Sequence, residues 1–268
     1  MMLSDRIVSR AAVIAAVLGA SLAAASQAQA NQGDRDVARM VSFGGSCPRC
    51  ELSGRKLTGA VFMGANFRQA TLVGADLRGA ELTGSVFHGG DFSRADLRGA
   101  QVLGSVFEGA NFVETRLDGV EGAGAVFRGA DLTRARMTDS ALTAADFRGA
   151  NLTRAVLTDA ELVGANLGGV NATQTNFSGA TLNHAQLGGG NFTRASFRDA
   201  SFNGARLRGG LYAGADFREA DLTQADLRGA DLSRARGLTQ DQVSEACGDR
   251  QTRLPDGLRV RECTPRTM

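Results

Sequence analysis

Residues 75–79 read Ala75-Asp76-Leu77-Arg78-Gly79, and residues 225–229 read Ala225-Asp226-Leu227-Arg228-Gly229. The two pentads are in phase. Stepping by five from Leu52 gives Leu57, Phe62, Phe67, Leu72, Leu77, Leu82, Phe87, Phe92 and Leu97, and the register runs on to Leu222, Leu227 and Leu232. Among these 37 centres only Gly122 and Ala172 lack a large apolar side chain, and 13 of the 14 Phe lie in the register, Phe43 being the exception. Two residues before most centres the chain is small, as at Ala60, Ala65, Ala70, Ser85, Gly90 and Ala95. The residue between is often Asp or Asn, and Gly is common two residues after the centre.

A period of five matches neither the 3.6 of a helix nor the 2 of a strand. It predicts a coil of short sides that turns a corner after each pentad, with small and large apolar residues both facing inward. Four sides close a square turn of 20 residues. Stacking the turns at about 4.8 Å satisfies the backbone groups between coils. Gly suits corners that need unusual dihedrals, which accounts for 35 Gly in 268 residues. The fold class is therefore all-β, with 37 pentads making about nine coils and a rod of about 44 Å.

The pattern Ala-(Asp/Asn)-Leu-x-x over residues 50–235 resembles the pentapeptide-repeat family. That resemblance implies a right-handed quadrilateral β-helix. It covers about 70% of the chain and is specific for fold, not for role. Pro48, Pro255 and Pro265 all fall outside the repeats, as an unbroken ladder requires.

Residues 1–30 carry Arg6 and Arg10, then the apolar run Ala11–Ala25, then Ser26-Gln27-Ala28-Gln29-Ala30. This pattern predicts a cleaved secretory signal. The run of 15 is shorter than the ~20 residues of a membrane span. The expected mature protein is periplasmic or secreted, without a membrane span. Residues 31–49 are read as an N-terminal capping segment, 50–235 as the β-helix and 236–268 as a C-terminal helix and tail cap. Thr239 with Gln242 fits a capping box, with Gly248 as the stop of the helix.

An oxidising address suits the four cysteines. Cys47-Pro48-Arg49-Cys50 could be a redox motif, half a metal site or a disulfide loop. It enters a β coil, where no helix N-terminus lowers a thiol pKa, and no second ligand pair is near, which favours a structural disulfide or capping loop. Cys247 and Cys263 bracket Leu254-Pro255-Asp256-Gly257-Leu258 and are expected to pair, tying the tail over the last coil. The tail also resembles the segment after the repeats in other exported members of the family, which implies a cap.

An unbroken register makes surface columns computable. The second residue after each centre on one side runs Gly54, Gly74, Arg94, Glu114, Arg134, Arg154, Gln174, Arg194, Gly214, Arg234. Arg94, Arg134, Arg154, Arg194 and Arg234, flanked by Ser93, Thr133, Thr153, Thr193 and Ser233, are a candidate anion strip. The blander reading is a solvated ladder balanced by Asp91, Asp131 and Asp231. Val86, Val106 and Val126 replace the usual Asp or Asn and form a candidate apolar contact stripe, or simply follow β-propensity. Residues 162–193 form a belt without Asp, Glu, Lys or Arg.

His88 and His184 fall on different sides about five coils apart, and no nucleophile–base arrangement can be assembled. No enzyme and no cofactor are expected. The repeats hold 19 basic and 20 acidic residues, which disfavours direct nucleic-acid binding. The family resemblance implies a further alternative, mimicry of duplex DNA to bind DNA gyrase, but that needs an acidic rod and a cytoplasmic address. The favoured expectation is a non-catalytic exported scaffold for an unknown protein or envelope component, with a homodimer through a rod end as a further mode of association.

Overall fold

The computed structural model describes residues 45–263, so the expected signal segment and residues 31–44 lie outside the described part. Parallel bridges join residues 20 apart without interruption, from Ser46↔Asn66 to Asp216↔Arg236. Four bridge columns per 20 residues divide the outer surface into four strips. We number them by their centres: one from Leu52, two from Leu57, three from Phe62 and four from Phe67.

Each pentad spends its backbone in the same way. Asp76 N–H bonds down to the carbonyl of Arg55 at 2.9 Å, while Leu77 N–H bonds up to that of Asp96 at 2.7 Å and Gly79 N–H to that of Arg98 at 3.0 Å. Ala80 N–H closes a turn onto Leu77 at 3.0 Å. A turn with this bond and a positive φ at its third residue is type II. Every corner from Arg49 to Gly229 has φ between 55° and 70°, and Arg234 is outside that set. Gly79 takes this conformation without cost, whereas Arg, Asp, Glu, Gln, His and Ala hold it at 15 corners.

The fifth N–H, that of the residue after the centre, has no ladder partner, and the side chain of the residue before the centre supplies one. Asp91 Oδ1 accepts from Ser93 N–H at 2.9 Å, and Asn191 Oδ1 from Thr193 N–H at 3.1 Å. The recurring Asp/Asn is thus a turn-satisfying group.

No large side chain at a centre from Leu52 to Leu232 is more than 2% exposed. Phe67, Phe87, Phe107, Phe127 and Phe147 stack in one column with centroids 5.0–5.3 Å apart and planes within 13°. Such contacts add about 0.5–1.5 kcal/mol per pair beyond burial. Buried hydroxyls at the small position bond to carbonyls, Ser105 to that of Leu82 and Thr175 to that of Leu152 in the coil below, each at 2.6 Å, and Ser140 to that of Met137 at 2.7 Å in its own coil. Where Tyr212 is the centre the small position is Gly210, because a Cβ there would lie 2.8 Å from the Tyr hydroxyl.

Two boundaries differ from the sequence reading. The coil begins before residue 50: Ser46 is bridged, Cys47 is a centre, and Pro48 and Arg49 are its turn. Pro at the second residue of a type II turn makes the assignment natural, and the Cys47–Cys50 disulfide spans that turn with Cα atoms 5.5 Å apart. At the other end the ladder outlasts the pentads. Helix α1, Gln240–Glu245, replaces one side, after which Cys247 pairs with Asp226 and Arg253 with Asp231. Strand β1, Cys247–Gly248, then pairs in parallel with β2, Arg261–Glu262.

The Thr239–Gln242 capping box is present, but Gly248 does not stop the helix. Ala246 does, in an extended conformation, and Gly248 lies in β1 where a Cβ would meet Thr252 Oγ1 and Val260 Cγ1 at 2.7 Å. Val243 and Ala246 are fully buried on the last coil, and the Cys247–Cys263 disulfide holds the tail with Cα atoms 4.8 Å apart.

Candidate functional site

The candidate surfaces are the four strips and the cap. On strip one, Arg134 pairs with Glu114 at 3.0 Å and Arg154 Nε donates to Gln174 at 2.8 Å, both within the column itself. The expected balance by Asp91 and Asp131 is not what forms. Those carboxylates face the turn: Asp131 Oδ1 accepts from Thr133 N–H and from its hydroxyl at 2.6 Å. Asp231 likewise accepts from Ser233, with Arg253 at 3.7 Å. The hydroxyls of Thr133 and Ser233 are therefore donors to their own turns, and Thr153 and Thr193 are held by Asn151 and Asn191 in the same way. Of the five Arg, Arg94 and Arg194 form no ion pair among the described residues, Arg234 acts on Asp231 through space, and the corner geometry ends before Arg234.

Val86, Val106 and Val126 bridge one another on strip four and are half-buried. Beside them runs a charge chain: His88 lies 3.8 Å from Glu108, Glu108 is 3.9 Å from Arg128, and Arg128 and Arg148 share Asp146 at 2.8 and 2.6 Å. His88 and His184 stand on different strips. In the uncharged belt the polar groups bond across coils, Asn176 to Thr158 at 3.1 Å and Ser178 to Ser196 at 2.8 Å.

On strip two the pentads centred on Leu77, Leu97 and Phe217 are ion-paired internally. Arg78 grips Asp76 through Nε and Nη2 at 2.8 and 2.7 Å, and Arg98 grips Asp96 likewise at 2.8 and 2.6 Å. The Arg78 hydrogen bonds hold the Asp76 carboxyl down at about 2, against burial that opposes them. The Asp96, Asp146 and Asp216 carboxyls are also lowered, first of all by Arg98, Arg148 and Arg218. These shifts report ion-pair ladders.

At the cap, a shallow depression of about 340 Å³ is lined by Arg228, Asp249, Arg250 and Glu262 among others. Asp226 approaches Cys247 and Cys263, but both sulfurs are in the disulfide and offer no thiolate to a metal.

The net charge of the repeats conceals a segregation that a residue count misses. Strip three carries Glu81, Glu121, Glu161 and Asp221 and no Lys or Arg. The adjacent strip four carries Arg49, Arg68, Arg128, Arg148, Arg206, Arg208 and Arg228 against Glu108, Asp146 and Asp226. Sorting residues by position modulo 20 would have found this.

The family model for pentapeptide repeats matches in eight copies, over residues 49–84, 60–99, 103–139, 135–174, 175–211 and 200–236. The chain belongs to the pentapeptide-repeat family. Its repeats form right-handed β-helices, and proteins of this family are generally structural or interaction proteins rather than enzymes. Among solved structures it is similar to HetL of the cyanobacterium Nostoc sp., involved in heterocyst differentiation regulation, at 30% identity over 79% of this chain and 90% of that one, TM-score 0.34. It is also similar to QnrB1, a plasmid-mediated fluoroquinolone resistance protein, at 24% identity over 77% of this chain and 94% of that one, TM-score 0.28. A pentapeptide-repeat protein of the Arabidopsis thaliana thylakoid lumen is 28% identical over 45% of this chain and 69% of that one, TM-score 0.21. No curated protein sequence matches the chain.

Proposed function

We propose that this pentapeptide-repeat protein is a non-catalytic, exported scaffold or interaction module, a four-sided rod of about nine coils with a helical cap. It presents one of its sides to a protein or envelope component. The observation that carries this reading is the unbroken bridge ladder from Ser46 to Arg236 over a sealed core. Such a ladder holds outward side chains at fixed rungs of about 4.8 Å, so a partner meets a preorganised surface and little ordering entropy opposes binding. Gyrase binding through DNA mimicry is the weaker reading, since Arg and acid nearly balance along the repeats.

Export is tested by sequencing the protein purified from its natural source, with Asn31 expected as the first residue; a protein that begins at Met1 and stays in the cytoplasm overturns it. Affinity capture from an envelope extract tests the scaffold role. A partner lost on charge reversal along one strip is expected, whereas inhibition of gyrase supercoiling by the purified protein would replace this reading with the DNA-mimic one.

A further inference from the structure

Strips three and four are complementary to each other. None of Glu81, Glu121, Glu161 and Asp221 pairs with a cation among the described residues, and Asp221 accepts only from Thr223 and Ser201. On strip four Arg68 and Arg206 have no acidic partner among the described residues, while Arg208 and Arg228 share the single Asp226 at 2.5 and 2.7 Å. Each strip also exposes apolar surface. Met63 and Leu103 on strip three are 39% and 37% exposed, and Val86, Val106 and Val126 are half-buried on strip four.

The corners favour close approach on these two strips. From Gly89 to Gly229 every strip-four corner is Gly, and strip three has Gly64, Gly84, Gly104, Gly124, Gly164 and Gly204. Strips one and two instead raise charged corners such as Arg94, Arg134, Asp139 and Glu219. The rungs also match. In a second copy laid parallel and in register, Glu81 stands within one coil of Arg68, Glu121 of Arg128, Glu161 of Arg148, and Asp221 of both Arg208 and Arg228.

We propose that the protein associates with itself, the acidic strip three of one copy docking on the Arg-rich strip four of the next. The contact uses two different surfaces and is therefore heterologous, so it either closes into a ring or propagates. The strips are neighbours around the coil. With the four-sided section proposed above, each contact turns the next copy by a right angle, and four parallel rods close a ring. One strip is about 44 Å long and about 10 Å wide, below the standard interface size. A single contact is thus weak and salt-labile, and ring closure gives every copy two.

The test is sedimentation velocity of the purified protein at about 100 µM in about 20 mM and about 1 M NaCl, which moves the screening length several-fold. The expected result is a mass four times the monomer at low salt and the monomer at high salt. The double variant Glu121→Arg, Glu161→Arg is expected to weaken association by at least ~10-fold. Its strip four is intact, so added to the wild type it should cap growing assemblies and lower their mean mass. An unchanged circular dichroism spectrum verifies that the variant is folded. A monomer at both salts overturns the proposal, as does a salt-insensitive dimer unaffected by the double variant, which would place association at a rod end. A monomer that binds polylysine through strip three overturns the second-copy partner while leaving the scaffold reading intact.

Discussion

Tyr212 stacks on Phe192 one coil below, with centroids 5.2 Å apart and planes 4° from parallel, yet only Tyr212 carries a hydroxyl, and that hydroxyl is buried without a partner. Burial pushes the phenol well above its usual range. The ring contributes as Phe does, and the oxygen costs its desolvation. Tyr212→Phe is expected to stabilise by about 1 kcal/mol, from the ~1–3 kcal/mol attached to an unsatisfied buried group. In a domain of this size that raises the thermal midpoint by about 2–4 °C. Calorimetry checks the sign; a lower midpoint would mean the hydroxyl has a partner.

Ala144 is a corner with φ +56°, a conformation costing an L-residue with a Cβ about 1–2 kcal/mol. Ala144→Gly is expected to raise stability by several tenths to about 1 kcal/mol, less the entropy Gly adds to the unfolded chain. The opposite change at Gly79, with φ +62° and nothing within 4 Å of an added Cβ, should cost a similar amount through backbone strain alone. Urea midpoints of the two variants should move in opposite directions.

Gln242 Nε2 donates to the carbonyls of Phe217 at 2.9 Å and Ala220 at 2.8 Å, standing in for the ladder donor that the helix displaces. Gln242→Ala orphans the Ala220 carbonyl, leaves that of Phe217 its turn bond from Ala220 N–H at 3.1 Å, and removes the capping box, at a cost of about 1–3 kcal/mol. Hydrogen exchange should show the loss concentrated in the last coil, since stability in a solenoid is carried by nearest-neighbour contacts. A uniform loss across all coils would contradict the cap assignment.

Acid sensitivity follows from strip two. The Asp76 carboxyl is held at about 2 chiefly by Arg78, against an unfolded value of about 3.9. A lowered folded pKa gives stability that is present above the unfolded value and lost as pH falls through the folded one. The denaturation midpoint should therefore hold from neutral pH to about 4 and fall between about 4 and 2. The Asp76 side chain is 28% exposed and that of Arg78 50%, so each pair adds little and the ladder matters as a sum. Asp76→Asn with Asp96→Asn should flatten the profile; an unchanged slope would show that these ladders do not set it.

Much of this fold is legible in the chain. Leu77 and Phe87 announce the core by position, Ala80 the narrow interior, and Gly79 the corner, because each role is fulfilled inside one pentad. The Asp/Asn preference is visible at Asp91, but its reason is not. It depends on which backbone N–H the ladder leaves over, and that appears only when the coils are stacked. The tail is illegible for the same kind of reason. Gly248 resembles a helix stop, yet it is small because Thr252 and Val260 press on it from residues the pattern does not bring near.

The five-residue register by itself determined the inward set, the corners and the family. Tertiary structure alone decided the partners of the surface groups: that Asp131 turns to Thr133 while Arg134 takes Glu114, and that Cys247 replaces a pentad residue opposite Asp226. The physical reason is distance along the chain. A pentad closes its own turn with local bonds, whereas every ion pair between coils joins residues about 20 apart and depends on the side chains that the neighbouring rungs have left free.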